Sequence, residues 1–308
     1  MRILLAGASG VIGRPLLQRL RGHEIVGLVH SAAGAKAVES SGATALLADA
    51  LDRDALLRAV EGQRADVVVH QLTGYRNAPP TRYGGKGVRR TNALRTTGTA
   101  NILEAAATVG ARRFVTQSLI LGYGLTDHGA REITEEQPFE VLRGDRSDPA
   151  ITAMADAENL AFAADVDAVA LRYGIFYGPG ASDMFVTMLK RRMLPLPSPG
   201  TGSIGWIHID DAVEATAVAI ENVPKDRAYN IVDDEPAGWD VMLDAMAAAV
   251  GAPRPLRLPA ALVRLGAPFA ASQMLDMSMR VSNERAAREL EWRPKFPSYR
   301  DGLRTLAS

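Results

Sequence analysis

The strand-like run Arg2–Ala6 leads directly into Gly7-Ala-Ser-Gly10-Val-Ile-Gly13, and then into an amphipathic stretch that reads as a helix from about Ile12 to Arg21. A strand, a glycine-rich turn and a helix in immediate succession constrain the fold more than any other segment. Gly7 supplies a tight turn, Gly10 lets the backbone approach an anionic group, and Gly13 lets the helix pack closely on the strand. The helix N-terminus then offers free N–H groups and a positive dipole end, which suit a pyrophosphate. The turn predicts a dinucleotide site at the first crossover of an α/β fold.

The rest of the first half keeps this rhythm. Glu24–His30, Ala43–Ala48, Ala65–Gln71, Arg113–Ser118 and Ala168–Arg172 read as further strands. Between them, Lys36–Ser41 reads as a short helix, Asp52–Val60 as a helix capped by Asp52, and Arg89–Val109 as a long helix stopped by Gly110. Gly74–Gly87, with its prolines, glycines and basic residues, reads as a loop. Strands of continuous apolar character separated by helices imply right-handed crossovers and a parallel sheet covered on both faces. The predicted fold is therefore a Rossmann-type doubly wound α/β sheet.

After Tyr177-Gly-Pro-Gly180 the rhythm breaks. Pro195, Pro197 and Pro199 interrupt it, then Gly205–Ile209 reads as a strand and Asp211–Asn222 as a helix. The expected organisation is a dinucleotide-binding domain over 1–173, rejoined by a segment near 205–232, with 174–308 mainly a smaller C-terminal substrate-binding lobe.

Lys+Arg and Asp+Glu both number 35, so no basic excess points to nucleic acid or to an anionic membrane. The chain has no cysteine, which excludes disulfides and thiolate metal sites, and its five histidines show no ligand spacing. No apolar run approaches the length of a membrane span, and no leader-like segment precedes the first strand. The expectation is a cytoplasmic protein acting on a small molecule, with no metal and an oligomeric state left open.

The glycine spacing is GxxGxxG, and here further ordered motifs matter. Asp49-Ala-Leu51, Val67-Val-Val-His70, Asn92 in TNALRTTGTANILEAA, Arg172-Tyr-Gly-Ile-Phe-Tyr-Gly-Pro179, Trp206-Ile-His208-Ile-Asp210-Asp211 and Ser282-Asn-Glu-Arg-Ala…Trp292-Arg-Pro occur in sequence along the chain. Together they resemble the extended short-chain dehydrogenase/reductases, the NAD-dependent epimerase/dehydratase group, nearly end to end. The resemblance implies that Gly7, Ser9, Gly10, Val11 and Ile12 hold the pyrophosphate, and that Asp49, Ala50 and Leu51 flank the adenine. It implies that Gln71, Leu72 and Thr73 meet the nicotinamide ribose, with Gln117 also at the cofactor, and that Gly174 and Phe176 border the ring. At the end of the second strand an acid would hold the ribose 2′-OH and repel a 2′-phosphate. This chain has His30-Ser31 there, with Arg14 and Lys36 near in sequence, so NADP(H) is favoured over NAD(H).

The family's proton-transfer residues are missing. The resemblance implies a Ser, a Tyr and a Lys beside the reacting centre. Phe114-Val-Thr-Gln-Ser118 carries the first of two serines, and Leu119 stands at the second. Aligning Glu158 with the family's glutamate puts Ala150 at the Tyr and Met154 at the Lys. No tyrosine lies between Tyr123 and Tyr173, and no lysine between Lys86 and Lys190, so a shift of register restores neither.

Three activities fit this pattern. One is an atypical reductase, because hydride transfer needs only a placed nicotinamide and an electrophile. Its proton would come from water, from Ser118 or Tyr123, or from an acidic hydroxyl of the substrate, as in the angucyclinone-type polyketide ketoreductases that the chain resembles. The others are an epimerase, dehydratase or cyclase on another small molecule, and a non-catalytic NADP-binding sensor. Met184, Met188, Met193, Met274, Met277 and Met279 suit either a flat apolar ligand or plain core filling. The leading expectation is a ketoreductase of an apolar, aromatic ketone or quinone, with Ser118 as the carbonyl contact. His128 is expected in a solvated polar loop, and Asp210-Asp211 as the cap of the following helix.

Overall fold

Six parallel strands form close to their predicted positions: β1 Arg2–Ala6, β2 Glu24–Val29, β3 Thr44–Leu47, β4 Val67–His70 and β5 Arg113–Leu119, then, after a further strand β6 at Asp127–Ile133, β7 Asp167–Tyr173. The structure is a computed structural model and describes all residues except 76–80, 199, 201, 223 and 308. Pro199 and part of the predicted loop 74–87 therefore lie outside the described residues. The short strands that follow include β8 Ile175–Tyr177, β9 Leu196–Ser198, β10 Ser203–Ile204, β11 Trp206–His208 and β12 Ala228–Ile231. Of these, β12 joins the main sheet, whose order is β12-β7-β5-β4-β1-β2-β3, with every neighbour parallel. The strand order reverses between β1 and β4, the switch point at which ligands bind in such sheets.

The helices of the first half are α1 Gly13–Arg19, α2 Ala32–Glu39, α3 Arg53–Val60, α4 Lys86–Ala93, α5 Thr99–Thr108 and α6 Asp148–Ala163. Those that follow include α7 Asp183–Lys190, α8 Ile209–Glu221 and α9 Trp239–Ala249. Helix α2 starts four residues before the predicted Lys36, because Ser31 caps it by accepting from the Gly34 amide at 3.2 Å. Asp52 caps α3 as expected, accepting from Ala55 at 3.0 Å.

Two apolar layers sandwich the sheet. On one face, Leu16 and Leu17 of α1 and Ala212 and Ala215 of α8 pack on Ile3, Leu5, Val69 and Leu171. On the other, Leu56 of α3 and Ile102 and Ala105 of α5 pack on Leu4, Val68 and Phe114. Each fully buried aliphatic side chain contributes about 1.5–3 kcal/mol. A third cluster belongs to the C-terminal part of the chain. It joins Trp206, Trp239, Met242, Met246, Met274, Met277 and Met279 to Ala150, Ile151 and Met154 of α6. The three late methionines are thus core residues, whereas Met184 and Met193 are exposed.

Three expectations need correction. The long helix predicted over Arg89–Val109 is interrupted by a π-helical turn at Leu94–Gly98, which resets the inward-facing register midway. His128 lies not in a loop but on β6, which pairs with Ser278–Val281, and its Nε2 is buried without a partner among the described residues. The Asp210-Asp211 pair does not cap α8. His208 does, its Nδ1 accepting from the Asp210 amide at 3.2 Å, so Nε2 carries the proton toward the Thr305 hydroxyl at 3.1 Å. Asp211 is buried and accepts the amides of Lys295 at 2.7 Å and Phe296 at 3.0 Å, fastening the C-terminal segment to the sheet domain. Among the described residues no helix is long and apolar enough to cross a membrane.

Candidate active site

The glycine turn is fixed by close backbone contacts. Gly7 has φ +91°, a conformation that favours glycine, and a Cβ there would lie 2.8 Å from the Gln71 carbonyl oxygen. A Cβ on Gly13 would lie 2.2 Å from the Gly7 oxygen. A Cβ on Gly10 would meet only that same oxygen, at 3.0 Å, and would otherwise project into open space. Gly7 and Gly13 are therefore required by protein packing, while Gly10 keeps room for a ligand at the N-terminus of α1. Ser9 lies in the turn, Val11 is exposed at its rim and Ile12 is buried beneath it. This cradle fits a dinucleotide pyrophosphate.

A small cleft lies at the carboxyl ends of β2, β3 and β4. His30, Asp49, Ala50, Leu72 and Thr73 line it, together with Arg90 and Leu94 from the helix above. Asp49 is spoken for on both oxygens: one accepts the Leu51 amide at 3.1 Å, the other Arg90 Nη2 at 2.9 Å. Burial raises the Asp49 carboxyl, but these bonds and the Arg90 charge outweigh that and hold it below its ordinary value. The Ala50 carbonyl accepts from buried Asn101 Nδ2 at 2.8 Å, which sets the peptide that would flank an adenine. Arg90 and Asn101 were not foreseen, because their partners lie 41 and 51 residues away. A wider polar hollow around Arg2, Arg64, Asp66 and Arg112 opens at the amino ends of the strands, the wrong edge for a crevice of this fold.

In the segment expected to meet the nicotinamide ribose, Gln71 donates to the Tyr173 hydroxyl at 3.2 Å, and Gln117 donates to the Leu72 carbonyl at 3.1 Å. Both side chains thereby brace the 71–73 segment. Gly174 has a further reason to be glycine, since a Cβ would lie 2.8 Å from the Gly205 oxygen across the β8–β11 pair. Phe176 packs beside Tyr173, with ring centroids 5.2 Å apart.

The place expected to do proton chemistry is apolar. Ala150 and Met154 are each 3% exposed and belong to the third cluster. Glu158, one turn further along α6, pairs with Arg172 on β7 through contacts of 2.6 and 3.0 Å. Arg172 also donates to the Tyr123 hydroxyl at 2.9 Å and lies 3.9 Å over the Phe139 ring. Tyr123 in turn donates to Asn230 Oδ1 at 2.8 Å and is fully buried, which pushes its hydroxyl above the ordinary value. Tyr123 is thus committed to this network and does not present a proton to the cleft. Ser118 stands in register with Arg172, so both leave the sheet on the α6 face. Its hydroxyl is buried and has no hydrogen-bond partner among the described residues, which leaves it available to a ligand. His70, at the end of β4, touches Thr99 Oγ1 at 3.3 Å, and burial pushes its imidazole down to about 4. Among the described residues no cluster of His, Asp and Glu could hold a metal ion.

The model of the NAD dependent epimerase/dehydratase family matches residues 3–232. A 3-diazoavenalumate denitrifying reductase of a Streptomyces species is 39% identical, over 98% of this chain and 99% of its own length. A 2-alkyl-3-oxoalkanoate reductase of Stenotrophomonas maltophilia is 27% identical, over 82% of this chain and 77% of its own. Among solved structures, a double mutant of the dTDP-glucose 4,6-dehydratase DesIV of Streptomyces venezuelae, with NAD bound, has a TM-score of 0.80 at 22% identity. The match covers 100% of this chain and 96% of that one. A human epimerase family protein with NADPH has a TM-score of 0.78 at 21% identity, covering 100% and 99%. These two share the fold. The chain belongs to the NAD dependent epimerase/dehydratase family, whose members are nicotinamide-dependent enzymes.

Proposed function

We propose that this enzyme is an NADP(H)-dependent reductase of an aromatic electrophile whose reduction requires no proton from the protein. One observation carries the reading: Ala150 and Met154 occupy, inside an apolar cluster, the positions where the family's resemblance calls for a tyrosine and a lysine. Gly7, Ser9, Gly10, Val11 and Ile12 would hold the pyrophosphate, His30, Ser31, Asp49, Ala50 and Leu51 the adenosine, and Gln71, Leu72, Thr73, Gln117, Gly174 and Phe176 the nicotinamide end. Bound there, the reduced nicotinamide supplies hydride.

A ketone that accepts hydride becomes an alkoxide and then needs a proton, which neither an alanine nor a methionine delivers. An aryl diazonium ion has the opposite balance. It is already cationic, and with hydride it gives the arene and dinitrogen, so charge and atoms close without an enzyme-bound acid. The relative named for a diazo substrate is 39% identical over nearly the whole chain, which supports this substrate class here. An aromatic ketone or quinone carrying its own phenol is the second reading. The substrate's hydroxyl would then donate the proton, with Ser118 orienting the carbonyl, and the relative named for a 3-oxo acid favours it. Preference for NADP(H) rests on the exposed His30 and on Ser31 at the N-terminus of α2, with no carboxylate at that strand end, and on Arg14, which donates to the Ser9 carbonyl at 3.1 Å.

The test supplies purified protein with NADPH deuterated at the transferring carbon and either an ortho-hydroxy aryl diazonium salt or a panel of aromatic ketones. Deuterium in the arene, with dinitrogen released and NADPH consumed, is the expected result. Tight cofactor binding without turnover of any substrate would overturn it in favour of a sensor. A scrambled stereocentre without net NADPH use would overturn it in favour of an epimerase.

A further inference from the structure

Arg95 sits in the π-helical turn between α4 and α5, and only 3% of it is exposed. A guanidinium stays charged in a protein, and a buried charge without a counter-ion is costly. Among the described residues no carboxylate forms an ion pair with Arg95, and its Nη1 is buried without a hydrogen-bond partner. Among the described residues only the Tyr75 hydroxyl offsets its burial. By contrast, Arg172, similarly buried, is fully engaged by Glu158 and Tyr123.

The location of Arg95 narrows what it awaits. The π-turn packs against α6, which carries Ala150 and Met154. Tyr75 follows the 71–73 cofactor segment by two residues and packs on the same apolar cluster as Met154. The Arg95 charge reaches His70 at the end of β4. Ser118 Oγ and Asn92 Oδ1, on that side of the sheet, are likewise buried without protein partners. The glycine turn opens instead at α1, in the layer on the opposite face, so the cofactor's pyrophosphate is held elsewhere.

We propose that Arg95 is a specificity-determining residue that recognises the carboxylate of an aromatic acid bound beside Ser118, Ala150 and Met154. A carboxylate is ionised at neutral pH and matches the guanidinium fork with two parallel hydrogen bonds, which a neutral ester does not. The proposal rests on the reading of the protein as a reductase whose substrate binds beside Ser118, Ala150 and Met154, and it names the charge of that substrate.

The test measures binding rather than turnover, so it stands or falls separately from the reductase reading. 4-Hydroxycinnamate and its methyl ester are titrated into the enzyme–NADPH complex, followed by the fluorescence of bound NADPH. The wild type should bind the acid at least tenfold more tightly than the ester. In Arg95→Met the two should bind within about twofold of each other, with NADPH and ester affinities unchanged, and Arg95→Lys should keep part of the preference. The ligand-free Arg95→Met protein should melt no lower than the wild type, because an unpaired buried charge has been removed. Equal binding of acid and ester to the wild type, or a retained acid preference in Arg95→Met, would overturn the proposal. So would a loss of NADPH affinity in that variant, which would make the cofactor the anion, or a clear fall in its melting temperature, which would make Arg95 structural.

Discussion

Replacing Glu158 by leucine would leave Arg172 charged in an apolar interior. The two side chains are 3% and 7% exposed, and the pair closes through contacts of 2.6 Å and 3.0 Å. Arg172 would retain the Tyr123 oxygen, the Phe139 ring and the more distant field of the buried Glu135, whose carboxylate pairs with Arg285, and none of these replaces the direct ion pair. Breaking such a buried pair from one side costs about 3–5 kcal/mol. For a chain of this length, at roughly 2 cal/mol/K of unfolding entropy per residue, the melting temperature should fall by about 5–8 °C in a cooperative transition. The double variant Glu158→Leu with Arg172→Met removes both charges. It should recover most of the loss, to within about 1–2 kcal/mol of the wild type, because apolar replacement of a buried ion pair is often near neutral. Calorimetry of the two single variants and the double variant gives the coupling energy directly. A double variant as unstable as the sum of the singles, or a Glu158→Leu loss below about 1 kcal/mol, would refute the reasoning.

Gly13→Ala should destabilise the protein by about 1–3 kcal/mol and weaken NADPH binding at least tenfold, because its Cβ would fall 2.2 Å from the Gly7 oxygen. Gly22→Ala, with nothing within 4 Å, is the matched control, and fluorescence titration with thermal melting reads both. His70, lowered from 6.5 to about 4 by burial, binds its proton more weakly folded than unfolded. Stability should therefore rise with pH between about 4 and 6.5, by up to about 3 kcal/mol, and urea titrations across that window should show a shallower slope for His70→Gln. Ser31→Asp keeps the cap of α2 but places a carboxylate at the end of β2, so melting should hardly change while the ratio of NADPH to NADH affinity falls at least tenfold.

The sequence by itself determined the sheet, the glycine turn and the absence of tyrosine and lysine between Tyr123 and Tyr173. Each depends on local pattern or residue identity: apolar runs set strands, three glycines set one turn, and a chain with no tyrosine or lysine in a segment cannot supply one there. Asp52 was legible as a cap because its partner, Ala55, is three residues away. What the sequence left open depends on residues brought together from far apart, or on a shift of helical register. Ser31 and His208 proved to be caps only once their backbone conformations were set, and Asp211 turned from a cap into an anchor for Lys295 and Phe296, more than eighty residues away. The π-turn at Leu94–Gly98 decided which side chains of the predicted long helix face inward, and with it the burial of Arg95. Burial of a charge cannot be read from residue type, since arginines are mostly exposed and only packing reveals which one is not. The sequence thus said which residue types a segment lacks, and the tertiary structure decided that Ala150 and Met154 lie in an apolar cluster and that Arg95 is buried with no ion-pair partner among the described residues.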